Sequence, residues 1–472
     1  MKRAVLMWEQ TWPSVLVAFG AVLLGIALAS PANKGVLIAL AIALLVTLII
    51  TLPAHLFLGA SLALLASFSA PAFEQRPFNV GSIQIYALDI LLVSVLVRAR
   101  LPRPRWNRDL RVLDVAVLVP AGLWAAVMLL AGFRGILAGN SLGAVARLEM
   151  FLFYFPLFWW GFMRIVQERS MSMPRIVRTL AVTALTFMAY AAFARLTHQR
   201  FGAETGAGIG GVSTTGGVLR RDYGFFSAFQ LYALLALGGL AYLMFSQRAT
   251  LRASLVATAG LAATILTLVR GLIFGTAAGA IVLLLMALKS RWQTRVFRRL
   301  LPLLALCALA AIPFSLTSPA VANGVVERVL PGITTQASGA TANTEYREQV
   351  LAAGIEIAST QPFGLGFVSG AALEDAGYPP LYGPHSQWAS LLVYTGWPGV
   401  FLLLWAGVSL VRRSAQLPAA APWLHPLLTA TVVLVAVQGF AWDVFFSQPW
   451  SLGMVALVFA LRFGLVAGGR HG

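Results

Sequence analysis

Apolar runs follow one another along most of the sequence, each about 17 to 25 residues long and each ended by a short polar or basic segment. An α-helix needs about 20 such residues to cross the hydrocarbon of a bilayer. The pattern predicts helices at approximately 13–30, 35–52, 54–70, 82–98, 112–132, 148–165, 175–195, 224–246, 252–269, 271–289, 299–317, 387–411, 423–442 and 447–464. Period-two alternation in short segments, the mark of a transmembrane β-barrel, is absent. The predicted fold is all-α: a polytopic membrane protein with about 14 transmembrane helices (12–14). The pair on either side of Arg270 is almost continuous, and 54–70 is short for a span.

One long stretch breaks the pattern. From about Ser318 to Trp388 the chain is polar and carries Arg328, Glu345, Arg347, Glu348, Glu356, Glu374, Asp375 and His385. Inside it, NTEYREQVLAAGIEIAST has helical periodicity, with Leu351, Ile355 and Ala358 predicted on one face. Gln361-Pro362 stops this helix ahead of Gly364 and Gly366. The organisation expected is a block of transmembrane helices over 1–317 with an outer loop at 196–223, a cap loop over 318–386, and C-terminal transmembrane helices over 387–472.

Composition agrees with a bilayer protein: 59% of residues are hydrophobic, 11% are charged, and the mean hydropathy is +0.83. Soluble domains average about 25% charged residues. A lone cysteine, Cys307, excludes a disulfide framework and a cysteine metal cluster. The first apolar run follows Met1-Lys2-Arg3 with no small-residue cleavage site, so it reads as a retained helix.

The formal charge of +18 would suggest nucleic acid in a soluble protein, but its distribution points to topology instead. With the N-terminus inside, 23 of the 34 Lys and Arg residues fall on the cytoplasmic side, many in RARLPRPRWNRDLR (98–111) and KSRWQTRVFRR (289–299). Short basic loops stay inside, so both termini are expected in the cytoplasm and no nucleic-acid partner is implied. Four acidic residues lie inside and eleven outside, with Asp89 in a span, so the inner side is near +19 and the outer side near zero.

Topology does not account for the ten arginines placed on the outer side. Arg220 and Arg221 end a glycine-rich loop, GAETGAGIGGVSTTGG, which lacks the Gly-Lys-Ser/Thr of a phosphate loop. Arg270 separates two spans, Arg347 lies in the cap helix, and His385 stands at the mouth of the next span. A guanidinium offers fixed, forked donors to phosphate and keeps its charge. A histidine is the side chain best suited to take a proton near neutral pH. Each arginine alone is as readily explained by snorkelling or by pairing with an acid such as Asp222 or Glu345. Together they suggest a diphosphate site beside a base. No second histidine or carboxylate stands at metal-ligand spacing, and no cofactor is implied.

At these residues the chain resembles the bacterial O-antigen ligase and O-antigen polymerase superfamily. The pattern is carried by Arg347 with its following helix, Pro362-x-Gly364-x-Gly366, His385, and Gly396-x-x-Gly399. Ser386 stands where the family usually has Asn, and Phe226 to Gln230 where it often has a Pro-Asn pair. The resemblance implies a metal-independent, inverting glycosyltransferase of the GT-C kind, acting on the periplasmic face of the inner membrane. Its donor would be a glycan on undecaprenyl diphosphate. Its acceptor would be a sugar hydroxyl, on lipid A core for a ligase or on another lipid-linked repeat for a polymerase, and the span count leans to the polymerase. His385 would be the catalytic base, and Arg220, Arg221, Arg270 and Arg347 would bind the diphosphate. A carrier or flippase for a lipid-linked sugar is the main rival reading, and it predicts charges deep in the spans. A peptidoglycan glycosyltransferase of the shape, elongation and division family would need an outer-loop aspartate, for which Asp375 is available but lacks that family's surroundings.

Overall fold

The computed structural model describes residues 52–68, 78–80, 83–85, 87–100, 115–140, 142–168, 172–196, 229–246, 251–267, 269–289, 338–368, 370–375, 377–378, 386–418, 421–440 and 449–467. The predicted spans 13–30, 35–52 and 299–317 lie outside them, residue 52 excepted. The first helices are α1 (Ala54–Phe68), α2 (Ala87–Arg100), α3 (Val115–Leu137), α4 (Leu142–Val166), α5 (Met173–Leu196), α6 (Phe229–Phe245) and α7 (Leu251–Leu266). They continue as α8 (Arg270–Leu288), α9 (Ser338–Thr360), α10 (Gly370–Asp375), α11 (Gln387–Gln416), α12 (Leu424–Gln438) and α13 (Pro449–Ala467). The all-α expectation holds except for one antiparallel hairpin, β1 (Phe78–Val80) against β2 (Ile83–Ile85), just before α2. By length and composition three of the described helices, α3, α8 and α11, suffice to cross a bilayer.

Two apolar clusters organise these helices. The larger takes side chains from every described helix except the cap helices α9 and α10. The smaller joins α3, α9 and α11 through Met128, Ala358, Phe367, Trp388 and Leu391. Small residues set the tightest crossings, as expected where lipid gives no hydrophobic drive to association. A Cβ on Gly239 would stand 2.8 Å from Ala257 Cβ, and one on Gly260 would stand 2.5 Å from Ala236 N, so α6 and α7 touch backbone to backbone. A Cβ on Gly275 would meet Leu434 O at 2.8 Å, and one on Gly279 would meet Ala430 O at 3.0 Å, which makes α8 and α12 antiparallel neighbours.

The almost continuous pair around Arg270 is two helices, one ending at Leu266 and the next beginning at Arg270. Thr267 stabilises the break, because its hydroxyl donates to Thr264 O at 2.7 Å and accepts from Val269 N–H at 3.3 Å. Helix α9 ends at Thr360, ahead of Gln361-Pro362 as predicted, but its buried face differs from expectation. Val350, Gly354, Ile357 and Ala358 are buried, whereas Ile355 is 43% exposed. Packing selects the Gly354 side, where a Cβ would lie 3.3 Å from Ala389 Cα, so α9 settles closely on α11.

Interior charge is mostly accounted for. At the end of the bundle away from the cap, the 2%-exposed Arg462 donates to the carbonyls of Ser414, Leu417 and Pro418. It thereby satisfies carbonyls that α11 leaves open at its C-terminus. Arg98 and Glu168 pair at 3.0 Å. Asp89 accepts from the Tyr154 hydroxyl.

Candidate functional site

The cap meets the bundle through the turn that follows α9, and a defect in α11 makes that contact possible. In an unbroken helix the carbonyls of Val393 and Tyr394 would accept from residues 397 and 398. Residue 398 is Pro398, which has no N–H. Gly396 adopts φ 63° and ψ −159°, a region open in practice only to glycine, and turns the Trp397 N–H away. That N–H donates instead to Pro362 O at 3.1 Å. The freed carbonyls take donors from the cap turn: Leu365 N–H on Val393 O at 2.7 Å and Gly366 N–H on Tyr394 O at 3.1 Å.

The glycines of this turn are there for backbone approach. A Cβ on Gly364 would lie 2.6 Å from Val393 O, and one on Gly366 would lie 2.8 Å from Ala131 O. Helix α3 closes the other side. Phe367 N–H donates to Ala131 O at 3.0 Å, Arg134 Nη1 to Phe363 O at 2.8 Å, and Asn140 Nδ2 to Phe367 O at 2.7 Å. The Pro-x-Gly-x-Gly and Gly-x-x-Gly motifs are thus two halves of one clamp that fixes α9 on the bundle. Arg134, a charge at the end of an apolar run, has its place in this clamp. Asn140 carried no sequence signal beyond a polar residue just past an apolar run.

The clamp orients Arg347. Contacts of Gly354 with Ala389 and of Gly364 with Gly396 show α9 running parallel to α11. Arg347 precedes Gly354 by seven residues, about 10 Å along the axis, which places it beyond the start of α11. Its Nε is buried without a hydrogen-bond partner. Burial, and after it repulsion from the Arg270 guanidinium, hold the Arg347 pKa below its ordinary value. Two arginines 77 positions apart in the chain (347 minus 270) are therefore close enough to repel.

Arg270 is the first residue of α8, behind Val269, an N-cap with no side-chain hydrogen bond to the helix. The positive end of that helix dipole adds to the two guanidiniums. A half-buried pair of like charges at an uncapped helix start is an arrangement that an anion would relieve.

Of the other predicted site residues, Arg220, Arg221 and His385 lie outside the described residues. Ser386, next to His385 in sequence, is buried and N-caps α11 by accepting from Ala389 N–H at 3.3 Å. Asn and Ser serve about equally at an N-cap, which explains why Ser386 can stand where the family usually has Asn. The start of α11 is buried on all sides from Ser386 to Val393.

Sequence comparison bears on the same residues. Positions 253–404, from α7 through the clamp to the middle of α11, match the family described as O-antigen ligase. No curated protein matches the chain. The match bears out the resemblance to the O-antigen ligase and polymerase superfamily. With the apolar helices, it supports a membrane protein of the O-antigen ligase or polymerase type acting on lipid-linked glycans.

Proposed function

We propose that this protein is a membrane glycosyltransferase that moves a glycan from undecaprenyl diphosphate to a sugar hydroxyl at the periplasmic face of the inner membrane, with both termini in the cytoplasm. The observation that carries the reading is the Arg347 Nε, buried in the cap helix without a hydrogen-bond partner, on a side chain near enough to Arg270 at the start of α8 for the two charges to repel. In the reaction the acceptor oxygen forms a bond to the anomeric carbon from the face opposite the diphosphate. The bond from that carbon to the phosphate oxygen breaks, and its electron pair leaves with the diphosphate. Arg270 and Arg347, joined by Arg220 or Arg221, stabilise the growing negative charge, a task for which fixed donors in a dry site need no metal ion. His385 accepts the proton released by the acceptor hydroxyl.

Ligation to lipid A core and polymerisation of lipid-linked repeats use the same groups. The description of the matched family favours ligation, and the number of apolar runs favours polymerisation. A carrier of the intact donor is disfavoured by the fate of Asp89, the charge deepest in a predicted span, which is engaged by Tyr154.

The test is a purified-protein assay with lipid-linked donor and acceptor, in which an enzyme releases free undecaprenyl diphosphate. His385→Ala is expected to abolish release, and Arg270→Gln to slow it on the order of 100-fold. Normal turnover in both folded variants overturns the proposal. Glycans of a deletion strain separate the two reactions: single capped repeats mark a lost polymerase, and full-length polymer left on the lipid carrier marks a lost ligase.

A further inference from the structure

Three glutamines are almost wholly enclosed among the helices that carry Arg270 and the clamp: Gln230 at 1% exposure, Gln387 at 1% and Gln438 at 0%. Both amide atoms of Gln230 and of Gln438, and Oε1 of Gln387, have no hydrogen-bond partner. A buried polar atom left unpaired is destabilising, because it has given up its hydrogen bonds to water without replacement. Three such side chains in one region are therefore a standing expense unless something else meets them.

They belong to one region. Gln387 N–H donates to Gly439 O at 2.8 Å, and a Cβ built on Gly439 would lie 3.3 Å from Gln387 Cδ. Gln438 precedes that glycine, and its backbone N lies 3.5 Å from a Cβ built on Gly275, in the second turn of the helix that Arg270 begins. Gln230 follows from register. Leu237 and Ala430 both touch Gly279. Seven residues outward, about 10 Å along each axis, stand Gln230 on α6, Leu272 on α8 and Val437 on α12, next to Gln438.

We propose that Gln230, Gln387 and Gln438 bind the sugar next to the diphosphate of the lipid-linked donor. The inference rests on the proposed function and assigns a part of the substrate to residues outside its arginine pair. The atoms left open decide the chemistry. Each of the three glutamines presents an unpaired acceptor oxygen, so the ligand must bring O–H or N–H donors. A diphosphate anion brings none, and a polyprenyl tail brings neither donor nor acceptor. Gln230 and Gln438 also present free donors, so the ligand must accept as well. Sugar hydroxyls and acetamido groups do both. Their place within about two helical turns of Arg270 puts them beside the leaving group, on the donor.

The test compares two probes on the full-length protein in lipid nanodiscs: undecaprenyl diphosphate, and the glycan-bearing form that accumulates in cells lacking the protein. Gln438→Met and Gln230→Met keep the side-chain length and remove the amide. Each is expected to weaken binding of the glycan-bearing lipid about tenfold and to leave binding of bare undecaprenyl diphosphate unchanged. Each is also expected to melt no lower than the parent, because it deletes an unpaired buried amide. Equal loss for both lipids, or an unchanged preference between them, overturns the inference. So does an effect confined to the KM for the acceptor. If Arg347→Gln retains bare undecaprenyl diphosphate at parental affinity, the diphosphate reading itself fails. An arginine effect with no glutamine effect removes only the sugar assignment.

Discussion

Replacing Gly396 by alanine tests whether the two glycine motifs form one clamp. A Cβ on Gly396 would stand 1.9 Å from Pro362 O and 2.7 Å from Gly364 N, both backbone atoms that no rotamer change can move aside. The residue also holds φ 63° and ψ −159°, where a side chain costs about 1–3 kcal/mol. Relief requires the turn to lift from α11. That movement breaks the bonds from Leu365 to Val393, from Gly366 to Tyr394 and from Trp397 to Pro362. At about 1 kcal/mol each, these bring the total to roughly 4–6 kcal/mol, a large share of a domain's stability of about 5–15 kcal/mol. Lifting the turn also frees α9 and with it Arg347, so activity should fall together with stability. The assay is thermal melting of the protein in nanodiscs, followed by limited proteolysis across 360–368 and a transfer measurement on the same samples. Gly122→Ala in α3 serves as a comparison, because nothing lies within 4 Å of a Cβ at that position. If Gly396→Ala melts with the parent and resists protease equally, the clamp argument is wrong.

Three further outcomes are expected. Arg347→Met removes a half-buried charge that Arg270 repels, so the ligand-free protein should melt no lower than the parent, while undecaprenyl diphosphate affinity falls about 10–100-fold; titration with that lipid checks both. Ser386→Asn should keep activity and stability because either residue caps α11, whereas Ser386→Val should lose about 1 kcal/mol in denaturant melts. Arg98→Met should cost roughly 3 kcal/mol by removing the cation paired with Glu168. Burial already raises the Glu168 pKa above its ordinary value of 4.5, and Arg98 opposes that rise, so the variant's folded-state pKa climbs further. Stability linked to a raised carboxyl pKa is present below the unfolded value and lost as pH rises through the folded one. The deficit of Arg98→Met relative to the parent should therefore shrink as melts are run from neutral pH down toward 4.5.

The helices were legible because lipid-crossing helices must be long and apolar, and every described helix outside the cap lies on a predicted run. Arg270 and Arg347 were legible as candidates because a charge beside an apolar run needs a reason. Their proximity was not, since the approach of residues far apart in the chain depends on how α9 docks. The buried face of α9 was misjudged for the same cause. Periodicity ranks Ile355 by hydropathy, but close approach to α11 favours the smaller Gly354, which periodicity passes over.

The order of apolar runs, the skew of basic loops and the spacing of the motif residues lie in the sequence itself, because each follows from the cost of placing single residues in lipid. Tertiary structure alone decided that Gly396 yields its helix bonds to Pro362, Leu365 and Gly366, that Arg134 is part of that junction, and that three glutamines are enclosed near Arg270. Those outcomes depend on which backbones come close enough to exchange hydrogen bonds. Distance along the chain carries no record of that.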